Sequence, residues 1–523
     1  MQGMSRARRR STSGQPESAA PEAAPPRSKV WLVASAVVVV AFFLALRWGA
    51  AQPWSYDDYY HLAVARQMGQ TYPISTLPWT PFAMQAEGFS DKELLFHWAL
   101  VPLAGLPLEV ACLVGVTLGL LLLVGATGFF LWRSGVPRPE LWLLGLTALG
   151  PFWCLRVEAL RPHVWALACC VLVLALLLQR TPLLVIALTS ALFGLSHASG
   201  WLSVAFVTIW SIAEWALGAP SPRLRLAAPP LAAATGWFAG QLFHPDVARH
   251  LSLLWLQNVV VPLSSLGGVD ETLRNVLGVE LLRPTAVELL EQWPLFVAPL
   301  TVIAFLSRRP ESRTTRLLVL TALALSFLAG GSLWLRRLLE IGGVLGLLAL
   351  AVAVAEVRDR RSGAPWPVAR PRLALGLLAL GALWSIVQVR DFGRGDQRPH
   401  GRGQPLGMAG FLATYGHAGD LVFTTQWADS APLSYKAPEL RSLVLLDPNF
   451  LARRDRRRFD RYWAIANGRS GDPVGEIGRE FGARWVTVWK APAFEVFARQ
   501  LRKERRARMV FSDPYYEVWV LAG

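Results

Sequence analysis

The segment "SYDDYYHLAVARQ" brings two adjacent carboxylates, two tyrosines and a histidine together shortly after the first long apolar run of the chain. If the residues after Asp57 form a helix, Asp57 and His61 lie four positions apart on one face of it. Further along, "FSDKELLFH" contributes a second group of ionisable side chains, namely Asp91, Glu93 and His97. These spacings predict one polar site close to a membrane surface.

Clustered carboxylates at a low-dielectric boundary suit proton transfer. We expect Asp57, Asp58 or Asp91 to act as a general base. A divalent cation, Mg²⁺ or Mn²⁺, held by Asp57, Asp91 and His97 would add positive charge to the same site. The predicted supporting residues in this loop are His61, Glu93 and His97.

A purely structural interpretation of the same segment stays open. Acidic side chains favour the first turn of a helix, so Asp57 and Asp58 would cap one. Tyr59 and Tyr60 would then anchor that helix at the membrane interface.

Composition predicts a helical integral membrane protein. The chain has 523 residues, of which 53% are hydrophobic and 17% charged, and its mean hydropathy is +0.36. The apolar residues come in blocks, unlike the alternation of β-barrel strands, and an ordinary soluble enzyme is excluded. The net charge of +16 lies largely in short segments between apolar runs, which indicates membrane topology and lipid contact instead of nucleic-acid binding.

About eleven apolar runs have roughly the length of a membrane helix. They cover residues 30–48, 110–132, 141–155, 163–179, 183–197, 201–217, 228–243, 293–307, 315–331, 336–355 and 372–389. The distribution of Lys and Arg then predicts a cytoplasmic N-terminus and a C-terminus on the opposite, outer side. The apolar segment 94–108 is short and interrupted by proline, which favours an interfacial or re-entrant helix.

This topology divides the chain into three parts. Residues 1–29 form a predicted disordered, basic cytoplasmic tail. Residues 30–390 form a transmembrane domain with two large outer loops, 49–109 and 244–292. In residues 391–523, strand patterns such as "GDLVFTT", "SLVLLD", "ARWVTVWK" and "YYEVWVLA" alternate with helical ones, which predicts a small α/β domain on the outer face.

Charged residues at the predicted outer ends of the spans are candidates for binding phosphate. Arg336 and Arg337 precede a late span, and a guanidinium donates two parallel hydrogen bonds to a phosphate. Glu340, four residues after Arg336, is a structural alternative as its partner. The remaining candidates are Arg161 for phosphate and, in support, Glu158, His163 and His197; a simple ion pair between Glu158 and a neighbouring arginine is the alternative there.

The stretch "DDYYHLAVARQ" resembles the first-loop motif of multispanning glycosyltransferases of the C type (GT-C), including the catalytic subunit of oligosaccharyltransferases, in which an acidic residue precedes "YYHLR". The predicted order of loops, spans and outer domain is similar as well. The resemblance implies that Asp57 or Asp58 is catalytic and that the donor is a sugar linked to polyprenyl phosphate. The acceptor motif "WWDYG" is absent, and only "QWADS" (426–430) stands near its place, so protein N-glycosylation is not expected.

The sequence therefore predicts a hexosyl- or pentosyltransferase at the periplasmic face of a bacterial inner membrane, acting on a glycan, lipid or protein. A transporter or flippase for lipid-linked glycans is the second hypothesis, and it requires polar residues deep in the spans of two related halves. A non-catalytic assembly protein is the third, and it would leave the first-loop acids dispersed.

Overall fold

The computed structural model of the protein describes residues 27–48, 55–218, 223–266, 283–286, 293–310, 313–358, 371–394 and 404–522. The predicted basic tail, apart from its last three residues, lies outside these ranges, and so does much of the predicted second outer loop.

The part of the chain before residue 395 consists mainly of helices. In chain order they are α1 (Arg27–Trp48), α2 (Tyr56–Gln70), α3 (Leu94–Leu100), α4 (Leu108–Arg133), α5 (Pro139–Leu144), α6 (Pro151–Val157), α7 (His163–Leu178), α8 (Leu183–Ser196), α9 (Leu202–Ala216), α10 (Arg223–Gln241), α11 (Val247–Trp255), α12 (Val261–Leu266), α13 (Trp293–Arg308), α14 (Thr315–Leu333), α15 (Leu338–Arg358) and α16 (Pro371–Arg394).

Five of the described helices are long and apolar enough to cross a membrane, which supports a multispanning membrane protein. The five candidate spans are Lys29–Arg47, Leu108–Arg133, Thr315–Leu333, Leu338–Glu356 and Pro371–Arg390. Several other predicted spans coincide with shorter helices, such as α8 with its 14 residues, which extends about 21 Å against about 30 Å of hydrocarbon. The count of eleven crossings therefore stays a prediction.

The predicted span 141–155 is interrupted. It consists of α5, a 3₁₀ turn at Gly145–Ala148 and α6. Gly150 adopts a φ of +101°, which glycine alone reaches readily, and Pro151 begins the next helix. The predicted interfacial segment 94–108 contains α3 and a 3₁₀ turn, Val101–Leu103, which together are too short to cross.

Residues 404–522 contain a five-stranded sheet flanked by helices. The strands are β1 (Leu421–Thr424), β2 (Arg441–Ser442), β3 (Trp485–Trp489), β4 (Ala507–Ser512) and β5 (Tyr516–Leu521), in the order β2-β1-β3-β5-β4. β1 pairs in parallel with β2 and β3, and β5 pairs antiparallel with β3 and β4. The helices are α17 (Gln404–Tyr415), α18 (Ser430–Lys436), α19 (Asn449–Arg454), α20 (Arg456–Ala466), α21 (Pro473–Glu476) and α22 (Glu495–Lys503). The predicted α/β domain is present.

Hydrogen bonds join this domain to the loop between α2 and α3. The Ser442 amide donates to the Trp79 carbonyl (2.6 Å), and the Arg454 guanidinium donates to the Pro81 carbonyl (2.6 Å). On the side of α2 itself, Arg66 Nη1 donates to the Tyr435 carbonyl (3.1 Å). The sheet domain is thus fixed over one end of the helix bundle, beside α2.

Candidate active site

A cavity of about 490 Å³ lies between the helix bundle and the sheet domain. Its wall is built from the start of α2, the loop before α3, the α6–α7 connection, α11, the α14–α15 connection and two loops of the sheet domain. The ionisable residues among its described lining are Asp57, His61, Lys92, Glu93, Arg156, Arg161, His163, His197, Arg249, Arg337 and Asp447.

The two adjacent carboxylates at the start of α2 have different surroundings. Asp57 lines the cavity and forms an ion pair with Arg161. Asp58 is fully buried and accepts hydrogen bonds from the Leu160 amide (2.8 Å) and the Ser55 hydroxyl (3.1 Å). Arg47 of α1 lies 3.3 Å from the same carboxylate. Asp58 therefore belongs to the capping box at the start of α2 and ties this helix to two other segments, whereas Asp57 faces the cavity beside Arg161.

Positive charge predominates in the cavity. Five of the described lining residues are cationic, and three are carboxylates. Arg156 is paired with Glu340, which also lies 3.6 Å from His163 Nε2, while Arg161 is paired with Asp57. Guanidinium groups that converge on a concave, partly desolvated surface suit an anion such as a phosphate.

A chain of hydrogen bonds leads from a buried acid to the cavity. Asp91 Oδ2 lies 2.7 Å from His97 Nδ1, and His97 Nε2 lies 2.8 Å from His61 Nδ1. Among these three residues, His61 lines the cavity. The chain connects α2 to α3 and fixes the orientation of both imidazole rings.

Burial and the neighbouring charges set the protonation of this chain. Burial opposes the charge of both Asp91 and His97, but their mutual attraction prevails, so the pKa of Asp91 is lowered and that of His97 is raised. Burial, together with His97 and Arg161, lowers the pKa of His61. A charged Asp91–His97 pair thus faces a neutral His61.

Glu93 lies at the edge of the same cluster. Its carboxylate is 3.4 Å from Lys92 Nζ, which donates a 2.7 Å hydrogen bond to Gln257. Burial raises the pKa of Glu93, although Lys92 and His97 oppose this. One ligand atom each from His61, Glu93 and His97 lie within 4.8 Å of one another.

The other candidate residues are distributed between the cavity wall and the protein interior. His163, His197 and Arg337 line the cavity, and His197 Nδ1 lies 2.6 Å from the Ser199 hydroxyl. Glu158 is fully buried, and its carbonyl oxygen accepts from Arg47. The candidates that are not among the described lining residues are Asp58, Asp91, His97, Glu158 and Arg336.

Several lining residues were not predicted as site residues. Lys92 stands between two predicted ones in "FSDKELLFH", and Arg249 belongs to "LFHPDVARH", so proximity in sequence was an available signal for both. Gln426 and Trp427 of "QWADS", the segment that stands near the place of the absent acceptor motif, also reach the cavity.

The single acidic residue of "QWADS", Asp429, binds the start of α2. Asp429 Oδ1 accepts hydrogen bonds from the hydroxyls of Tyr516 (2.7 Å) and Tyr56 (3.0 Å). Burial raises the pKa of Asp429 to about 7, although both tyrosine hydroxyls oppose this. Tyr56 directly precedes Asp57, so the sheet domain helps to position the cavity-lining carboxylate.

Solved structures with the same architecture are glycosyltransferases of the C type. One match is archaeal oligosaccharyltransferase AglB from Archaeoglobus fulgidus, in complex with an inhibitory peptide and a dolichol-phosphate. Its TM-score is 0.60 and its sequence identity 11%, and the match covers 89% of this chain and 70% of the AglB chain. ArnT from Cupriavidus metallidurans matches in its apo state with a TM-score of 0.55 and 13% identity, over 95% of this chain and 99% of the ArnT chain. Bound to undecaprenyl phosphate, it matches with a TM-score of 0.53 and 15% identity, over 95% of this chain and 98% of the ArnT chain.

At these identities the likeness concerns the fold, and the resemblance to the GT-C fold predicted from the sequence is confirmed. No protein-family model and no curated protein sequence matches the chain.

Proposed function

We propose that the protein is a membrane glycosyltransferase that moves a sugar from a polyprenyl-phosphate-linked donor to an acceptor within the cavity. The observation that carries the proposal is that Asp57 lines a cavity with a surplus of cationic side chains. The GT-C fold supports it, and so do the undecaprenyl phosphate and dolichol-phosphate that two of the matching structures contain. The acceptor is a glycan, a lipid or a protein.

In this proposal, Asp57 accepts the proton of an acceptor hydroxyl as its oxygen attacks the anomeric carbon of the sugar. The bond between that carbon and the phosphate oxygen breaks, and the electron pair leaves with the polyprenyl phosphate. Arg337 and Arg161 stabilise the departing phosphate by charge-assisted hydrogen bonds. A donor phosphate competes with Asp57 for Arg161, which makes the carboxylate available to the acceptor.

The cavity end of the bundle faces the periplasm of a bacterial inner membrane in this proposal. Its support is the positive-inside distribution of Lys and Arg along the sequence, which leaves the α14–α15 connection and the sheet domain outside. Lipid-linked donors then reach the cavity from the membrane, and the acceptor enters beside the sheet domain.

The experiment compares Asp57→Asn with Asp460→Asn in reconstituted vesicles that contain an undecaprenyl-phosphate-linked sugar and an envelope extract as acceptor. Asp460 is an exposed carboxylate paired with Arg456 on the sheet domain, so it controls for the change of charge. Asp57→Asn is expected to reduce transfer of labelled sugar about 10²–10⁴-fold, the usual contribution of a general base, while Asp460→Asn transfers as the wild type does. Full transfer by Asp57→Asn at normal protein levels contradicts the mechanism.

A further inference from the structure

His61, which lines the cavity, lies within hydrogen-bond distance of the buried His97. His61 Nδ1 and His97 Nε2 are 2.8 Å apart, and His61, Glu93 and His97 each have one potential ligand atom within 4.8 Å of those of the other two. All three side chains are at least nine-tenths buried. They come from two elements, α2 and the start of α3, which the hydrophobic core holds together.

A fourth residue orients one of the imidazoles. Asp91 Oδ2 accepts from His97 Nδ1 at 2.7 Å, and Asp91 Oδ1 accepts from the Glu93 amide at 3.0 Å. A carboxylate behind a histidine is the usual arrangement around protein-bound metal ions, because it fixes the ring and makes the opposite nitrogen a better ligand. In His97 the opposite nitrogen is Nε2, which points at His61.

We propose that His61 Nδ1, His97 Nε2 and the Glu93 carboxylate bind a divalent transition-metal cation of the zinc type. His61 and Glu93 line the cavity, so a fourth coordination position is open to it. Two imidazole nitrogens and one carboxylate suit Zn²⁺, whereas Mg²⁺ requires oxygen ligands. The ligands expected from the sequence are Asp57, Asp91 and His97. In the proposed site His97 remains a ligand and His61 takes the place of Asp57, while Asp91 binds His97 instead of the metal.

The distances require a small adjustment. Zn–N bonds of about 2.0–2.1 Å place two nitrogens on one tetrahedral cation roughly 3.4 Å apart, so the two rings separate by about half an ångström from their 2.8 Å contact. The cation takes the place of the proton between the rings, and that proton leaves to solvent. Without a cation, Asp91, His97 and His61 form a hydrogen-bonded relay that ends at the cavity, and this is the competing outcome.

The experiment measures metal binding by the full-length protein in detergent, after treatment with EDTA and desalting. Titration with Zn²⁺ is expected to give one bound equivalent, and Co²⁺ is expected to give the intense visible absorption of a tetrahedral site. Glu93→Gln and His97→Gln are expected to weaken binding at least tenfold, and Asp91→Asn about 10–100-fold. His417→Gln, at a largely exposed histidine, is the control and binds as the wild type does.

Two results overturn the proposal. One is a wild-type protein that retains no Zn²⁺ and shows no tetrahedral Co²⁺ spectrum, a result that does not depend on the folding of any variant. The other is unchanged affinity in a folded Glu93→Gln protein. Asp57→Asn is expected to keep the metal, because Asp57 is outside the proposed ligand set. Donor and acceptor are absent from the assay, so the site and the proposed sugar transfer succeed or fail separately.

Discussion

The two ends of the helical hairpin α14–α15 carry charge in different ways. At the end away from the cavity, Glu356 accepts from Arg316 Nη2 (2.7 Å) and Nε (2.9 Å), and Arg316 Nη1 donates to the Ser134 carbonyl (2.9 Å). At the cavity end, Arg337 lines the cavity, and Glu340 is shared between Arg156 and His163.

This difference between the two ends of the hairpin indicates different roles: the charges at the far end hold helices together, and those at the cavity end serve to bind a ligand. One arginine and one glutamate satisfy each other at the far end, next to the start of α14 and the end of α15. Among the described residues that line the cavity, cationic groups exceed carboxylates, and an excess of one sign near low-dielectric walls attracts an oppositely charged molecule. Removal of a charge at the far end should therefore affect stability, and removal at the cavity should affect binding or chemistry.

Asp58→Asn is expected to reduce stability more than any other substitution proposed for this protein. Its comparison with Asp57→Asn tests whether the two adjacent acids have different roles. It leaves the buried Arg47 without its carboxylate partner, and breaking a buried pair costs about 3–5 kcal/mol. Thermal unfolding and the yield of folded protein in detergent measure it. If Asp58→Asn folds as stably as Asp57→Asn does, the division of roles between the two residues is wrong.

The pH dependence of stability tests the contact between the sheet domain and α2. Asp429 has a pKa of about 7 in the folded protein against 3.8 in the unfolded chain, so the folded state retains a proton that the unfolded state loses between these values. Stability is therefore expected to fall as pH rises from about 4 to about 7 and to level off above, by up to roughly 4 kcal/mol.

Thermal unfolding of wild-type and Asp429→Asn proteins across this pH range isolates that contribution. The groups around the carboxyl are Tyr56, Tyr516 and Tyr462, which stay protonated throughout the range. The stability of the Asp429→Asn protein is expected not to show the fall between about pH 4 and about pH 7 that Asp429 causes in the wild type. Parallel curves for the two proteins would show that Asp429 does not titrate as described.

Arg337→Gln should weaken donor binding without unfolding the hairpin. Loss of a hydrogen-bonded charge costs about 1.5–3 kcal/mol, which corresponds to roughly 10–100-fold in affinity for undecaprenyl phosphate. Binding is measured with the lipid in detergent micelles. Arg457→Gln, at a largely exposed position of the sheet domain, is the matched control, and equal affinities for the two variants would exclude Arg337 from the phosphate site.

Arg316→Gln makes the same substitution at the far end of the hairpin. Its side chain is a quarter exposed, so the loss of the pair with Glu356 is expected to reduce stability by only about 1–2 kcal/mol. Affinity for undecaprenyl phosphate should be unchanged. Weakened lipid binding in this variant would remove the distinction between the two ends.

Much of the fold was predictable because membrane helices and buried strands have strong local patterns. The segment "ARMVFS", which forms β4, was not predicted as a strand, because an edge strand carries Arg508 and exposed residues that hide the alternation. In "SLVLLD", only Ser442 belongs to the sheet, as part of β2. Buried apolar residues follow it, and an apolar run by itself does not reveal whether it pairs or packs.

The sequence by itself determined that a short helix with acids in its first turn follows the first membrane helix, and that ionisable residues gather near it. Only the tertiary structure decided which acid meets the cavity. Successive residues of a helix are turned by about 100°, so Asp57 and Asp58 point in different directions. The choice between them depends on Arg47 and the Leu160 amide, which come from distant parts of the chain and bind Asp58.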